Sequence, residues 1–242
     1  MRRTTIRLSF GTCFLFAALT AGTAAEWGPG VERWEVKTHP KQGGLSSQPH
    51  PVALSDLKKL KWKELSTLDN WKTTEDCLRV QGGDAPQECD IVSTEGYIQL
   101  VALEGKKNSH GKRTDGDYHI QVSSSRTNRD DVVIVEVPRP EFVGDADLQT
   151  TVTTLRDALR EKLNRGKEFS SEGTCMQHPP KMRIVGQLFF DSPHASLTPG
   201  ADPGGGRGKR GHKAATIWEI HPVFKMKFLE LKDPTRPAVE CP

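Results

Sequence analysis

The chain has 242 residues, of which 35% are hydrophobic and 27% are charged, enough for one ordinary domain with extensions or for two small domains. Beyond residues 1–25, no apolar run approaches the ~18–20 residues that a bilayer-spanning helix needs, which excludes a membrane-embedded protein. The 22 glycines and 16 prolines argue against a helical bundle and favour a loop-rich, strand-rich chain.

Residues 1–25 have the three-part pattern of a secretory signal peptide. Arg2, Arg3 and Arg7 precede a short apolar segment, and small residues lead to a predicted cleavage after Ala25. We therefore expect a secreted or periplasmic protein. An N-terminal anchor helix is the alternative, but the apolar segment of about a dozen residues is short for one.

Cleavage would leave a chain of zero formal net charge. The signal segment carries three of the 34 basic residues and no acidic residue, so 31 basic residues remain against 31 acidic ones. A globally basic nucleic-acid binder is therefore not supported, and a polyanion site would have to be a local patch.

Four cysteines remain after the predicted cleavage, and an even number in an oxidising compartment indicates two disulfides. Proximity in the sequence favours pairing Cys77 with Cys89, which leaves Cys175 for Cys241. Four cysteines allow three pairings, so the other two stay open. The spacing does not provide the close cysteine pairs of a zinc site.

Hydrophobic periodicity divides the rest of the chain. We predict an N-terminal arm over residues 26–75 with a short helix beginning near Leu54, a β-rich domain over 76–231 and a tail over 232–242. Leucines and a valine at helical spacing predict one amphipathic helix from Leu148 to Leu163. Alternation and β-branched runs predict five strands, which are Ile91–Leu103, Tyr118–Val122, Val132–Val137, Met182–Phe190 and Thr216–Leu231.

Three strands, a helix and two further strands is the element order of the OB-fold, a five-stranded Greek-key barrel. Gly96 in the middle of the first strand is typical of a bulge or of a sharp bend in a small barrel. We therefore predict a mainly β protein with an OB-fold-like barrel and an N-terminal arm. The alternative is an α+β sheet with the helix on one face.

Alternation along the strands predicts a row of polar side chains on the outer face of the barrel. It consists of Asp117, His119, Glu136, Glu219 and His221. A metal or hydrolytic site is one interpretation: His119, His194, His221 and Asp191 would be zinc ligands, and Glu136 or Glu219 a general base. No established metal or nucleophile motif supports it. The alternative is structural, with the histidines pinning the arm to the barrel.

Two predicted loops are locally basic. Each has a local charge of +3, and together their cations are Lys106, Lys107, Lys112, Arg113, Arg207, Lys209, Arg210 and Lys213. The second loop is rich in glycine, so we expect it to be able to mould to a phosphate backbone. The alternative is two solvated, mobile loops, and few aromatic residues are left over for stacking nucleobases.

Five sequence blocks in order resemble a family of uncharacterised secreted bacterial proteins. They are Val31–Thr38, Asp115–His119, Val135–Pro138, Val185–His194 and Trp218–Val223. The resemblance covers residues 31–228 and implies an exported small β-barrel, without an activity to transfer. The chain departs from the family where Pro140-Glu141-Phe142 replaces a cysteine-containing stretch, and in the insertion over 199–212.

The sequence thus predicts an exported module that binds an extended polar or anionic ligand, a nucleic acid or a glycan, without a cofactor. A metal-dependent hydrolase or nuclease that uses the His/Asp/Glu row, with zinc as its cofactor, is the second interpretation. A structural envelope protein without a ligand is the third.

Overall fold

The structure is a computed structural model that describes residues 33–40, 44–79, 82–104 and 115–230. It is mainly β, as predicted from the sequence. The predicted signal peptide, the tail, and the residues Lys106, Lys107, Lys112, Arg113 and Cys241 lie outside the described residues. Among the described helices, none has the length and apolarity to cross a membrane.

Seven strands, three α-helices and four short 3₁₀ helices make up the regular structure of the described residues. The strands are β1 (His50–Pro51), β2 (Ile91–Leu103), β3 (Tyr118–Ser123), β4 (Val132–Val137), β5 (Thr174–Cys175), β6 (Lys181–Phe190) and β7 (Ala214–Glu230). The helices are α1 (Trp34–Thr38), α2 (Leu54–Leu57) and α3 (Ala146–Asn164). The five predicted strands correspond to the long ones. The two additional strands have two residues each, too few to show an alternation.

Each of the five long strands pairs with two others. β2 is antiparallel to β3 and to β6, β3 is antiparallel to β4, and β6 is antiparallel to β7. β4 and β7 are parallel. The pairings therefore run β2–β3–β4–β7–β6 and return to β2, while β1 and β5 add short ladders to β2.

One side of the long strands faces the main hydrophobic core, which α3 completes. The predicted periodicity is confirmed, because Leu148, Val152 and Leu159 of α3 are buried in that core. The Asp145 carboxylate accepts a hydrogen bond from the Leu148 N–H at 2.7 Å and caps the helix. The buried Arg156 guanidinium, also on α3, donates to backbone carbonyls next to β3 and β4.

The other side of β3 and β4 is also buried, whereas the sequence predicts an outer face for the polar row. Every residue of both strands is buried, including the polar His119 and Gln121. The alternation of the sequence correctly predicted which strand residues point away from the core. It could not predict that another part of the chain covers these residues.

The N-terminal segment is one of the covering elements. Arg33, 2% exposed, forms a bidentate pair with the buried Glu88 carboxylate at 2.6 and 2.7 Å. The Gln187 side chain donates to the Val36 carbonyl at 2.7 Å, which fixes α1 over β6. Next to these contacts lies the predicted Cys77–Cys89 disulfide, which is confirmed. The Cys175–Cys241 pairing stays a prediction.

Gly96 serves close packing rather than a bulge. The register irregularity of β2 lies between Ile98 and Leu100, not at the glycine. A Cβ atom at position 96 would lie 2.5 Å from Val122 Cγ1, 2.6 Å from Leu54 Cδ1 and 3.0 Å from the Ser123 carbonyl. The missing side chain therefore lets α2 and β3 approach β2.

We predict that Gly96→Ala destabilises the protein by about 1–3 kcal/mol, because the added methyl overpacks this contact. The measurement is chemical denaturation followed by fluorescence. Gly82→Ala is the control, since a Cβ there meets nothing within 4 Å. Equal stability of the two variants would contradict this account of Gly96.

Candidate functional site

The predicted polar row comes together on β3, β4 and β7, with Asp117 just before β3. His119 of β3 is the register partner of Glu136 of β4, and Glu219 of β7 pairs with Ile134 of β4. All five side chains are buried: His221 is 0% exposed, and Asp117, His119, Glu136 and Glu219 are 2–7% exposed. The row is therefore a buried polar cluster, not an open outer surface.

His221 lies between two carboxylates. Its Nε2 is 3.3 Å from Asp117 Oδ2, and its Nδ1 is 3.0 Å from Glu136 Oε2. Neither contact is a hydrogen bond, so both ring nitrogens lack a hydrogen-bond partner despite the short distances. Asp117 Oδ1 is also buried without a partner.

His119 continues the cluster towards Glu104. Its Nδ1 is 2.9 Å from Glu136 Oε1 and 3.8 Å from Glu104 Oε1. Glu136 thus contacts both histidines, one through each carboxylate oxygen. The second nitrogen of His119, Nε2, is buried and has no partner.

A lysine from the N-terminal arm enters the cluster, and no pattern in the sequence indicates this placement. Lys37 of α1 donates to Asp115 Oδ2 at 3.1 Å, and both side chains are less than 10% exposed. Asp115 precedes Asp117 by two residues, so the lysine sits beside the same group of carboxylates. The predicted arm does cover the polar row.

An arginine from the Gly-rich loop enters from the other side. Arg207 contacts Asp191 Oδ2 at 2.7 Å and also pairs with Glu219. Its side chain is only 7% exposed, so it differs from the solvent-facing polyanion contact predicted from the sequence. Gly204 allows the loop to pack closely, because a Cβ there would lie 1.9 Å from the Ala214 carbonyl oxygen.

The other residues that the sequence predicted as polyanion-binding cations or as zinc ligands lie at the edge of this site. Lys209 pairs with Glu104 at 2.8 Å, and Arg210 is exposed and donates to a backbone carbonyl. Lys213 is exposed. His194, proposed as a zinc ligand, is half exposed and pairs with Asp191 at 2.6 Å rather than with His119 or His221.

A cavity of about 590 Å³ opens onto the cluster. Most of its lining residues are charged or histidine, and they include Lys37, Asp115, His119, Glu136, Arg207 and Glu219. The cluster and cavity hold six carboxylates (Glu104, Asp115, Asp117, Glu136, Asp191 and Glu219) against three fixed cations (Lys37, Arg207 and Lys209). The excess of negative charge disfavours direct binding of an anion and favours binding of a cation.

The pKa values of the cluster follow from burial and this charge pattern. Burial, reinforced by the charge of Asp117, raises the pKa of Asp115 to about 7, although Lys37 opposes the rise. Burial acts in the same direction on Glu136, but contacts with His119 and His221 outweigh it and hold the pKa of Glu136 well below its ordinary value.

Two basic groups of the cluster, Lys37 and His221, have pKa values shifted towards their charged forms. Burial lowers the pKa of Lys37, but carboxylates, first among them Asp115, outweigh it and raise that pKa overall. Burial and Lys37 lower the pKa of His221, and the contacts with Asp117 and Glu136 reverse the shift.

Asp117, Glu136 and His221 form a group that could hold a metal ion. One ligand atom from each residue lies within 4.8 Å of the other two, and all three residues are buried. The metal ligands proposed from the sequence overlap with this group only at His221. His119, Asp191 and His194 belong to the surroundings, while Asp117 and Glu136 were assigned other roles.

Comparisons with known proteins give no information on this site, because no family profile, curated protein or solved structure matches the chain. The resemblance to secreted bacterial proteins therefore remains a prediction. The functional argument rests on the geometry of the site.

Removing the charge of Arg207 should destabilise the protein strongly. Arg207→Gln leaves the buried Glu219 and the largely buried Asp191 carboxylates without their cation, which costs about 3–5 kcal/mol. Urea unfolding at neutral pH measures the cost. Arg210→Gln in the same loop is the control and should change stability by no more than about 0.5 kcal/mol, because this side chain is exposed. Similar values for both would contradict the buried placement of Arg207.

The stabilising effect of Asp191 should disappear in acid. Burial raises the pKa of Asp191, but Arg207 and His194 outweigh it and hold the pKa below its ordinary value. A depressed carboxyl pKa stabilises the fold above the unfolded-state pKa of about 3.9, and the effect is lost as pH falls through the folded-state pKa.

Asp191→Asn should therefore cost about 2 kcal/mol at neutral pH and progressively less in acid. Denaturation curves at several pH values measure this difference against wild type. Asp84→Asn, a change at an exposed position, is the control. A cost for Asp191→Asn that does not depend on pH would contradict the ion-pair explanation.

Proposed function

We propose that the chain is a metal-dependent hydrolase whose metal site is formed by Asp117, Glu136 and His221. The observation that carries the proposal is the group of three buried ligand atoms within 4.8 Å of one another, next to a polar cavity. Three protein ligands with a further position for water is the arrangement of catalytic zinc sites.

One distance within the group supports coordination through His221 Nε2. Two ligands of a tetrahedral zinc ion, each bound at ~2.0–2.2 Å, lie ~3.3–3.6 Å apart. His221 Nε2 and Asp117 Oδ2 are 3.3 Å apart, without a hydrogen bond between them. The imidazole ligand favours zinc or another transition metal over magnesium or calcium.

The charge balance supports the same proposal. The cluster has more carboxylates than fixed cations, and Asp117 has an oxygen that lacks a partner. Buried carboxylates are costly unless they are paired or bind a metal. A divalent cation at this position offsets the excess charge from within the cluster.

The protein residues have separate roles in the proposed reaction. A bound divalent ion makes water a better nucleophile at neutral pH. Glu136 orients His119 through Nδ1, which leaves Nε2 to receive a proton from water. Arg207 and Lys37 line the cavity beside the carboxylates and can orient a polar substrate. Hydrolysis adds the elements of water across the cleaved bond, and the leaving group takes the proton.

The order of strand pairings supports an OB-fold-like barrel. The cycle β2–β3–β4–β7–β6, the parallel pairing of β4 with β7 and the position of α3 after the third long strand are those expected for this fold. The Cys77–Cys89 disulfide supports export to an oxidising compartment. We therefore retain both predictions as part of this proposal.

A second candidate function is a structural one, in which the polar row locks the arm onto the sheet. The specific observation is the Lys37–Asp115 pair, which joins α1 to the segment before β3. In that case a charged His221 would balance the carboxylates, and the cluster would need no metal.

The two candidates differ in their response to zinc. We expect EDTA-treated protein to bind one equivalent of Zn²⁺ in isothermal titration calorimetry and to melt at a higher temperature with Zn²⁺, since a ligand of the folded state stabilises it. Asp117→Asn and Glu136→Gln keep the side-chain shape and should lose the tight equivalent. Asp130→Asn, an exposed change, should retain it.

The hydrolase proposal needs an activity as well. Bis(4-nitrophenyl) phosphate and 4-nitrophenyl acetate report phosphodiester and ester hydrolysis, and EDTA should abolish turnover of at least one. Zinc binding without turnover would contradict the hydrolase. Wild-type protein that neither binds zinc nor gains stability from it would contradict the metal site and support the structural role.

A further inference from the structure

We propose a second site, independent of the metal centre: a basic groove on the outer surface of β2, β6 and β7 that binds a linear acidic polysaccharide. The groove has a volume of about 990 Å³. The segment that contains β1 borders it, and side chains of the three long strands line it. None of the cations predicted from the sequence to bind a polyanion belongs to this groove.

The groove is lined by four cations and one carboxylate. Lys181 and Arg183 come from β6, Lys225 and Lys227 from β7, and Glu95 from β2. Glu95 pairs with Lys181 at 3.1 Å and with Arg183 at 2.7 Å. Lys225 and Lys227 are exposed, and neither forms an ion pair within the part of the chain that the structure describes.

Strand geometry arranges these cations in two parallel rows. Residues two apart on a strand point to the same side, ~6.6 Å apart, and neighbouring strands are ~4.8 Å apart. Arg183 is the register partner of Lys227, and Val185 is the partner of Lys225. A ligand lying along β7 would meet two positive charges about 6.6 Å apart, with the cations of β6 beside them, which suits a chain that carries several anionic groups.

The rest of the lining favours a glycan over a nucleic acid. Binding of single-stranded nucleic acid relies on aromatic side chains that stack with the bases, and the groove lining contains none. It does contain hydroxyl and amide groups, which can hydrogen-bond sugar hydroxyls. One of them, the Thr94 hydroxyl, is buried and has no hydrogen-bond partner.

Helix α1 separates the groove from the metal site. Alternate residues of β6 lie on the outer side of the sheet. Lys181, Arg183 and Val185 line the groove. Gln187 and Phe189, further along the strand, lie beneath α1. Asp191, just after the strand, lines the acidic cavity. A polysaccharide in the groove is therefore bound without a contact to Asp117, Glu136 or His221.

The test is fluorescence anisotropy with a fluorescein-labelled heparin decasaccharide, in EDTA so that metal binding plays no part. We expect binding that weakens steeply with salt. Lys225→Glu combined with Lys227→Glu should weaken it by at least about tenfold. Arg210→Glu combined with Lys213→Glu makes the same change in net charge at exposed positions outside the groove lining, and should weaken binding by less than about threefold.

Circular dichroism melting establishes that both double variants are folded. An equal loss of affinity in both would mean that the decasaccharide responds to net charge alone, which overturns the groove as its site. Absence of salt-sensitive binding in wild type also overturns it. Tighter binding of a labelled oligothymidylate would assign the groove to nucleic acid and overturn the polysaccharide. Loss of zinc binding in Asp117→Asn with unchanged heparin binding would support the independence of the two sites.

Discussion

Burial of a carboxylate-rich cluster is the constraint on which this structure depends. Asp117, Glu136 and Glu219 project from the outer side of neighbouring segments and are almost completely removed from solvent. Buried carboxylates are strongly destabilising unless cations or hydrogen-bond donors accompany them. The segments that cover the cluster must therefore bring positive charge with them, and they do so from two distant parts of the chain.

The two covering segments contribute in similar ways. Helix α1 places Lys37 beside Asp115, and the Gly-rich loop places Arg207 between Asp191 and Glu219. Each cation holds its segment over the strands, and each segment in turn shields the ion pairs from water. This reciprocity helps to hold a helix of only five residues in place. Besides the Lys37 ion pair, Val36 is buried against Phe189, and the helix's own length contributes little.

The sequence predicted the residues of the strands much better than the residues that cover them. Alternation placed His119, Glu136 and His221 on a common side because every strand residue obeys a period of two. No comparable local rule connects Lys37 with Asp115, which is 78 residues further along the chain. The same limit applies to Arg207, which looked like part of a solvated basic loop because its partners become apparent only in the folded chain.

The basic groove was missed for a different reason, since its signal is present in the sequence. Lys225 and Lys227 are two apart on a predicted strand, and so are Lys181 and Arg183. The apolar positions of these strands indicate the core, but they carry no information on which cations on the other side of the sheet lie next to each other. What the sequence could not show is that β6 and β7 pair in a register that places the two sets side by side.

The chain that remains after the predicted cleavage has a formal net charge of zero, but it contains two regions of opposite charge: the acidic buried cluster and the basic groove. His221 and Lys225 are four residues apart on β7, about 13 Å at the rise of a strand. The charges of the groove are exposed and screened over ~10 Å at moderate salt, whereas those of the cluster are buried and screened much less. Salt should thus act on the groove first and leave the cluster largely unaffected. The same sheet can in this way present a salt-sensitive surface to a polyanion while keeping a cation site whose field the surrounding solution hardly changes.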